Sequence, residues 1–343
     1  KIDNDEFDAS GQLKDLSNNT KVNAQLKGTI DLSKLEQIYP AEAFINLQGV
    51  VKADIETAFD MNSIEQKRYE NTKTSGQALL TNFEYSSEEF KHPLHIENTS
   101  LAFSPGSVTL RELDGNIGQT DIQLNGTIKN LLGFLLSKQN LEGTFNMNSK
   151  QFVINDFTAA ETTASRQDTI KSEEKQLKIP SFLDASIDAT AATLVYDNMT
   201  LKNVSGDLRI KDQTASLKNM KSSVFGGQLG FDGLVSTKSE TPTFNMKLDV
   251  DNFDIGQSFS SLELFKALAP IASVVEGKIN TNITLSGDLT NVFTPNLSSI
   301  SGDVLAQLFS SKISAENSLL LQKLTTNLNF FDPKKLNLDG LKA

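Results

Sequence analysis

Apolar and polar residues alternate with a period of two along most of the chain. Such alternation indicates strands with one apolar and one solvated face, because successive side chains of a strand point to opposite sides. Clear examples are Val22/Ala24/Leu26/Gly28/Ile30, Val51/Ala53/Ile55, Ile122/Leu124/Gly126/Ile128, Phe244/Met246/Leu248/Val250 and Ile279/Ile283/Leu285. The pattern predicts an all-β protein built mainly from antiparallel strands that each have one buried face.

Helical periodicity is confined to a few short segments. Residues 258–275 place apolar side chains at helical spacing, with serines available as N-cap and Pro270 as a break or kink. Shorter helices are predicted at 32–38, 131–136, 304–313 and 318–324. These helices are too few to cover so many strands, so the sheet either folds onto itself or leaves part of its apolar face available.

More than half of the twenty glycines lie at the centre of an apolar-x-Gly-x-apolar pattern. They are Gly28, Gly49, Gly115, Gly126, Gly143, Gly206, Gly227, Gly233, Gly277, Gly287 and Gly302. Each therefore interrupts the apolar face of a strand, where a missing side chain permits a sharp bend or the close approach of another group. The pattern predicts an elongated, strongly curved sheet, either gutter-like or an open sandwich.

Short phrases of the sequence recur along the chain. Thr144-Phe145-Asn146-Met147 returns as Thr243-Phe244-Asn245-Met246, and the segments 26–35, 124–133 and 285–293 share a Leu-x-Gly-x-Ile/Leu core. Repeated units arise when each unit needs a neighbour to cover its apolar surface. We therefore expect repeated β units, with the two Thr-Phe-Asn-Met segments as equivalent strands.

A polar segment divides the chain into two predicted parts. Residues 158–178 are polar and charged with little periodic apolar content, which is typical of a flexible linker. The expected domains are 1–157 and 179–343, the second including the helix near 258–275. The chain opens at Lys1 in mid-pattern, so we expect a piece of a longer protein with any signal or anchor upstream.

Composition narrows the possible functions. With 32 basic and 43 acidic residues the net charge is −11 and no basic cluster is present, so no nucleic-acid partner is expected. There are no cysteines for disulfides or thiolate metal sites. The longest strongly apolar run, 131–136, is far shorter than the ~20 residues of a membrane-spanning helix.

Residues suited to catalysis or metal binding are few. His92 and His95 are the only histidines, and their spacing in an extended segment points the rings to opposite faces. Asp249, Asp251 and Asp254 alternate with apolar residues as on a solvated strand face and lack calcium-loop spacing. We therefore predict no enzyme, no metal and no cofactor. A glycan-binding or glycan-cleaving β protein is an alternative that zero Trp and four Tyr disfavour.

Three segments resemble the AsmA-like family of bacterial envelope proteins, especially its Bacteroidetes-type members. They are LVYDNMTLKNVSGDLRIKDQTASLKNM at 194–220, FGGQLGFDG at 225–233 and LAPIASVVEGKINTNITLSGDLTNVFTPNLSSISGD at 268–303. The resemblance implies a periplasmic region of repeated β units, anchored to the inner membrane by a segment outside this chain. It also implies a role in outer-membrane biogenesis and a bent sheet with an apolar lining that conducts phospholipids.

Together, the resemblance and the strand pattern predict a non-catalytic periplasmic protein that holds or guides phospholipid acyl chains. The expected lipid-contacting residues are uncharged and in one register: Phe244, Met246, Leu248, Val250, Ile279, Ile283 and Leu285. The alternative is a structural or adaptor module whose exposed strand edges recruit envelope proteins by β-augmentation. An ordinary closed sandwich core is a further explanation of the same alternation.

Overall fold

The computed structural model describes residues 7–34, 47–86, 92–157, 178–196, 198–261, 275–290 and 293–313. These residues form one sheet of fifteen strands in which each strand lies beside its neighbours in the chain. The strands are β1 (Phe7–Lys14), β2 (Lys21–Asp31), β3 (Leu47–Asp60), β4 (Ser75–Tyr85), β5 (Leu94–Ser104), β6 (Ser107–Ile117), β7 (Thr120–Ile128), β8 (Leu141–Val153), β9 (Leu183–Tyr196), β10 (Met199–Lys211), β11 (Thr214–Val224), β12 (Gly227–Ser236), β13 (Thr243–Asp254), β14 (Val275–Asp288) and β15 (Ser301–Ile313). The predicted all-β class with an open sheet is confirmed.

Three short α-helices accompany the strands in the described part of the chain. They are α1 (Met61–Glu65), α2 (Leu131–Ser137) and α3 (Ile255–Ser261). The helix predicted at 131–136 is confirmed as α2. The helix predicted near 258–275 begins earlier, at Ile255, and Val275 belongs to β14 instead. The remainder of that prediction, 262–274, lies outside the described residues, as does the helix predicted at 318–324.

Aspartates, rather than serines, cap two of these helices. Asp254 accepts a 2.9 Å hydrogen bond from the Gln257 backbone N–H at the start of α3. Asp60 caps α1 by accepting from the hydroxyl and the backbone N–H of Ser63, while the Asn19 amide donates to the same carboxylate. The Ser63 hydroxyl and the Asn19 amide hold the pKa of Asp60 below its ordinary value, because both stabilise the ionised carboxylate.

The helix predicted at 304–313 is wrong, because this segment is strand β15. Its residues pair antiparallel with β14, as at Ile283↔Val304 and Ile279↔Leu308, with one register shift between Glu276 and Lys278. The apolar residues of the segment suit a helix as well as an edge strand with apolar residues on both sides. Pairing with β14 decides between the two, since it satisfies the backbone groups along the facing edges of both strands.

The chain divides into two compact units, and the division runs through strands rather than through a loop. Unit 1 comprises Lys1–Thr190 and Leu208–Ala215, and unit 2 comprises Ala191–Asp207 and Ser216–Ala343. The predicted linker falls almost wholly outside the described residues, at 158–177. The predicted domains 1–157 and 179–343 therefore stay a prediction.

One strand pair of unit 1 departs from the antiparallel pattern. Strands β1 to β8 pair antiparallel in turn. In contrast, the Leu141 N–H at the start of β8 donates to the Phe182 carbonyl just before β9, and the Thr190 hydroxyl donates to the Met147 carbonyl further along both strands. Residue numbers rise together along the two strands, from 141 beside 182 to 147 beside 190, so β8 and the first half of β9 run parallel. Such a pair requires a long crossover connection, which 154–182 provides.

The core of unit 1 is centred on Phe145. Phe145 forms a buried cluster with Leu110 and Ala185, and half-buried apolar side chains surround it: Leu101, Leu113, Leu124, Ile128, Leu183 and Ile187. These residues come from five neighbouring strands, β5 to β9. The cluster is thus assembled along one face of the sheet.

The two Thr-Phe-Asn-Met segments share a pairing register. In β8, Phe145 lies opposite Gly126 and Met147 opposite Leu124. In β13, Phe244 lies opposite Gly287 and Met246 opposite Leu285. The glycine strand precedes the first copy in the chain and follows the second, whereas duplication of a whole unit would preserve this order. The recurrence therefore reflects a shared two-strand pairing.

Candidate functional site on the apolar face of the sheet

The registers of unit 1 collect the apolar residues of β1 to β8 on one side of the sheet, which we call the apolar face. In β1 to β4 it contains Phe7, Ala9, Gly11, Leu13, Val22, Ala24, Leu26, Gly28, Ile30, Val51, Ala53, Ile55, Thr57, Phe59, Gly76, Ala78, Leu80, Phe83 and Tyr85. In β5 to β8 it contains Leu94, Ile96, Thr99, Leu101, Phe103, Val108, Leu110, Leu113, Gly115, Ile117, Thr120, Ile122, Leu124, Gly126, Ile128, Gly143, Phe145 and Met147. None of these residues is charged.

The opposite face of unit 1 carries the charged side chains. Lys27 and Asp54, which are cross-strand partners, form an ion pair at 3.1 Å. Gln25 donates to Glu56 at 3.2 Å on the same side. Separation of charge from apolar surface is therefore maintained from strand to strand, as the alternation predicts.

In unit 2 the structure brings all seven predicted lipid-contacting residues together on one face of β13 and β14. Met246 lies opposite Leu285 and Leu248 opposite Ile283, while Phe244, Val250 and Ile279 occupy the same face in the same ladder. Asn252, with a φ of 60°, forms a bulge that shifts the register between Val250 and Phe253. The bulge returns Phe253 to the same face of β13 and β14 as these seven residues, opposite Ile279.

Most of these seven residues are buried. Phe244, Val250, Ile279, Ile283 and Leu285 are buried, and Met246 and Leu248 are half-buried. Helix α3 packs on β14 and contributes the buried residues Ile255 and Phe259. This part of the face is therefore largely covered, and Met246 and Leu248 are its most accessible predicted members.

The more accessible part of the apolar face lies in β1 to β4 of unit 1, where Leu13 of β1 is exposed. Leu26, Ile30, Ile55, Leu80 and Phe83 are all half-buried there. The same period-two alternation marks these strands in the sequence, but it carries no information about which strands are covered. The sequence therefore identifies the face without identifying its open part.

Several glycine gaps in the strands are occupied by side chains of the protein itself. A Cβ at Gly126 would lie 2.7 Å from Phe145 Cδ1, and one at Gly287 would lie 3.2 Å from Phe244 Cε1. Met220 lies over Gly206 in the same way. These gaps accommodate bulky neighbours from the paired strand, so at these positions they are not free space for a ligand.

A small, open cavity lies where the apolar face of unit 1 meets α2. Phe103 and Val108 of the apolar face line it, together with Leu131 and Leu132 of α2. Lys129, which is exposed, lies at its border. The cavity thus combines an apolar interior with a cation at its rim.

The two histidines and the buried Asp156 of unit 1 contact other polar groups of the protein. His95 Nδ1 lies 3.4 Å from Glu84, and His92 Nε2 lies 3.8 Å from Asp156. Buried Asp156 accepts hydrogen bonds from the backbone N–H groups of Gln119 and Thr120 and so fixes the β6–β7 turn. Among the residues that the structure describes, no group of three potential ligands could hold a metal ion.

Asp121 continues the contact between β7 and β8 beyond their last registered pair, Gln123↔Asn148. Its carboxylate accepts from the backbone N–H groups of Gln151 and Lys150 and from the Ser149 hydroxyl. Burial alone raises the pKa of Asp121, but these hydrogen bonds outweigh it and leave the pKa below its ordinary value.

No helix in the described ranges is both long enough and apolar enough to cross a bilayer. Comparison of the chain with protein-family models, with curated proteins and with solved structures found no match. The resemblance to the AsmA-like family therefore stays a prediction from the sequence segments that carry it.

Proposed function

We propose that the apolar face holds or guides the acyl chains of phospholipids. The observation that carries this proposal is the uncharged register that runs through β1 to β8 in unit 1 and recurs in β12 to β15. A charged residue in that register would expose a carboxylate or ammonium to hydrocarbon, which costs several kcal/mol. Its absence over so many strands is the property that a lipid lining requires.

The arrangement of the strands supports the proposal. In the part of the chain that the structure describes, all strands belong to one sheet, and no second sheet packs against it. A closed sandwich would bury its inner residues completely, whereas those of β2 to β4 are mostly half-buried. This surface is available to a hydrocarbon guest.

The energy of lipid transfer sets the size of surface that is needed. A phospholipid exposes about thirty tail methylenes on leaving a membrane, which at ~0.8 kcal/mol each amounts to roughly 25 kcal/mol. An isolated apolar patch offsets only a fraction of this. The registered strands offer a lining that continues from one strand to the next.

A matched pair of substitutions tests this function. Leu26 lies half-buried on the apolar face, and its neighbour Gln25 lies on the opposite face. After expression in a Gram-negative host, the amount of phospholipid bound to the purified chain is measured by native mass spectrometry and by extraction. Leu26→Glu is expected to lower bound phospholipid at least tenfold, whereas Gln25→Glu leaves it unchanged.

Circular dichroism and urea unfolding show whether Leu26→Glu remains folded. If it unfolds, Leu26→Gln and Ile55→Gln provide milder versions of the same test on cross-strand partners. The proposal fails if the folded wild-type chain carries no phospholipid, or if Leu26→Glu and Gln25→Glu bind equal amounts.

The cellular setting belongs to the same proposal. The resemblance to AsmA-like proteins supports a periplasmic, non-catalytic role in a Gram-negative envelope, with an inner-membrane anchor outside this chain. Transfer of acyl chains between the two membranes requires such an apolar surface and no cofactor. Cell fractionation and protease accessibility of the full-length protein test this location.

An adaptor role is the second candidate, and the edge strand β15 favours it. Val304 is 50% exposed and Leu305 is 63% exposed, and they lie on opposite faces of β15. Within the described residues β15 has a single neighbour, β14, so its other edge is available to a further strand. A partner protein that adds a strand here would cover both residues.

A photoreactive amino acid distinguishes the two candidates. Placed at Leu305, it is expected to cross-link to an envelope protein if the edge recruits a strand. Placed at Leu26 or Ile55, it is expected to cross-link to lipid if the face holds acyl chains. Protein cross-links from Leu305 without lipid cross-links from the face would favour the adaptor role.

A further inference from the structure

Helix α2 and its surroundings display an unusual group of exposed apolar side chains. Leu135 is 63% exposed and Leu136 is 47% exposed at the end of the helix. Phe182, which is 50% exposed, contacts Phe134 with ring centroids 5.8 Å apart. Large apolar residues that are exposed close together are more common in interaction sites than on the rest of a protein surface.

The helix is held firmly in this orientation. Buried Asn130 donates to the Asn140 carbonyl at 2.6 Å and accepts from the Glu142 N–H at 2.7 Å, which closes the base of the α2 loop. Gln139 donates to the Ile64 carbonyl at 2.9 Å and so ties the loop to α1. Leu135 and Leu136 are therefore presented to solvent by a fixed backbone.

Lysines flank the apolar segment on both sides. Lys129 precedes the helix and Lys138 follows it, and both are exposed. Neither has an ion pair with another residue of the described chain, although the protein as a whole carries a net charge of −11. An apolar surface bordered by cations is complementary to a bilayer that has an apolar interior and anionic headgroups.

We propose that α2 and Phe182 form a docking surface for an anionic phospholipid bilayer. Leu135, Leu136 and Phe182 insert at the level of the headgroups, and Lys129 and Lys138 contact lipid phosphates. The same helix lines the cavity next to the apolar face through Leu131 and Leu132. Docking here places that cavity at the membrane surface, yet it does not require that the face hold lipid.

Vesicle binding tests the docking surface. The chain is mixed with vesicles of phosphatidylcholine alone or with phosphatidylglycerol added, and the bound fraction is measured by flotation. The double variant Leu135→Ser/Leu136→Ser is expected to bind at least tenfold more weakly. The control Leu79→Ser, at a comparably exposed leucine on the charged side of β4, is expected to bind like the wild type.

The lysines are tested on the same vesicles. Lys129→Gln and Lys138→Gln are each expected to weaken binding about fivefold when phosphatidylglycerol is present, the equivalent of ~1 kcal/mol per cation. Neither affects binding to phosphatidylcholine alone. Equal binding of these variants and the wild type to anionic vesicles would remove the electrostatic part of the proposal.

The fluorescence of a single introduced tryptophan reports insertion directly, because the chain itself contains no tryptophan. The emission of Leu135→Trp is expected to shift to the blue with vesicles and to be quenched by brominated acyl chains, whereas that of Leu79→Trp does not change. Absence of vesicle binding by the wild type overturns the proposal. A blue shift that depends on protein concentration without lipid also overturns it, since the surface would then bind a second copy of the chain.

Discussion

At the residue scale, two glycines of the apolar registers pack against the bulky side chain opposite them. Phe145 covers Gly126, and Phe244 covers Gly287. A ring that lies over a glycine on the paired strand buries the exposed backbone and packs without a void, an arrangement known to stabilise sheets. A substitution of either the glycine or the phenylalanine is therefore expected to disturb the packing of the other.

Gly126→Ala is expected to lower the free energy of unfolding by about 1–3 kcal/mol, because the added methyl group overpacks against Phe145 and the backbone of β8. Gly230→Ala is the control, since the nearest atom to its Cβ would be 3.6 Å away. The control should change stability by less than ~0.5 kcal/mol. Urea unfolding at pH 7 measures both, and equal effects would contradict the overpacking argument.

Asp121 provides a pH-dependent contribution to stability. Its folded-state pKa is lowered, so its contribution is present above the unfolded-state pKa and is lost as the pH falls through the folded-state pKa. Asp121→Asn is expected to cost about 1–2 kcal/mol at pH 7. The difference from wild type should shrink as the pH falls below about 4.

Urea unfolding at pH 7 and at pH 3 measures this change. Asp249→Asn serves as control, because Asp249 is an exposed aspartate on the charged side of β13. A difference between Asp121→Asn and wild type that stays constant over this pH range would show that the carboxylate charge is unimportant.

At the element scale, the two Thr-Phe-Asn-Met strands have the same packing role in the two units. Each places a phenylalanine over a glycine and a methionine beside a leucine of its partner strand. Both phenylalanines are buried. The recurrence of the sequence is thus explained by a recurrent pairing between two strands.

Phe145→Ala and Phe244→Ala are each expected to cost about 3–5 kcal/mol, because each leaves a cavity over a glycine. Phe309→Ala, at an exposed position of β15, should cost less than ~1 kcal/mol. Because the chain has two compact units, unfolding is followed by hydrogen exchange in each unit separately. A neutral Phe244→Ala would contradict the equivalence of the two strands.

The strands and the apolar face could be predicted from the sequence, because side-chain alternation depends only on local strand geometry. The same reasoning failed at β15, where Val304, Leu305, Leu308 and Phe309 have a spacing that also fits a helix. It also could not show that Phe145 and Phe244 occupy the glycine gaps, since that depends on cross-strand register. The burial of Val250 and Ile283 likewise depends on tertiary packing, which the alternation of side chains along a strand does not reveal.

At the scale of the whole molecule, stability is distributed along a series of neighbouring pairings. Each strand pairs with the strands next to it in the sheet, as in repeat proteins whose stability depends on nearest neighbours. In unit 1 the apolar-face residues of β1 are mostly exposed, whereas several in β5 to β8 are buried. Edge strands should therefore open locally before the central ones.

Hydrogen exchange measured by mass spectrometry is expected to show this order. Amides of β1 should exchange through local opening, and amides of β6 to β8 should approach the protection of global unfolding. Leu110→Ala should accelerate exchange across β5 to β8, while Leu13→Ala should affect only β1 and β2. Uniform protection from β1 to β8 would instead indicate that unit 1 opens only as a whole.

The parallel pairing of β8 with β9 has a consequence for biosynthesis. During synthesis from the amino-terminal end, β5 to β8 emerge one after another. Each of them can pair with the preceding strand as soon as it has been synthesised. β9 must instead wait for the connection 154–182, whose greater length adds roughly 2 kcal/mol of closure entropy. Until then, Phe145 on the growing edge lacks the cover of Ala185, which makes this interval the natural moment for a chaperone to engage the nascent protein.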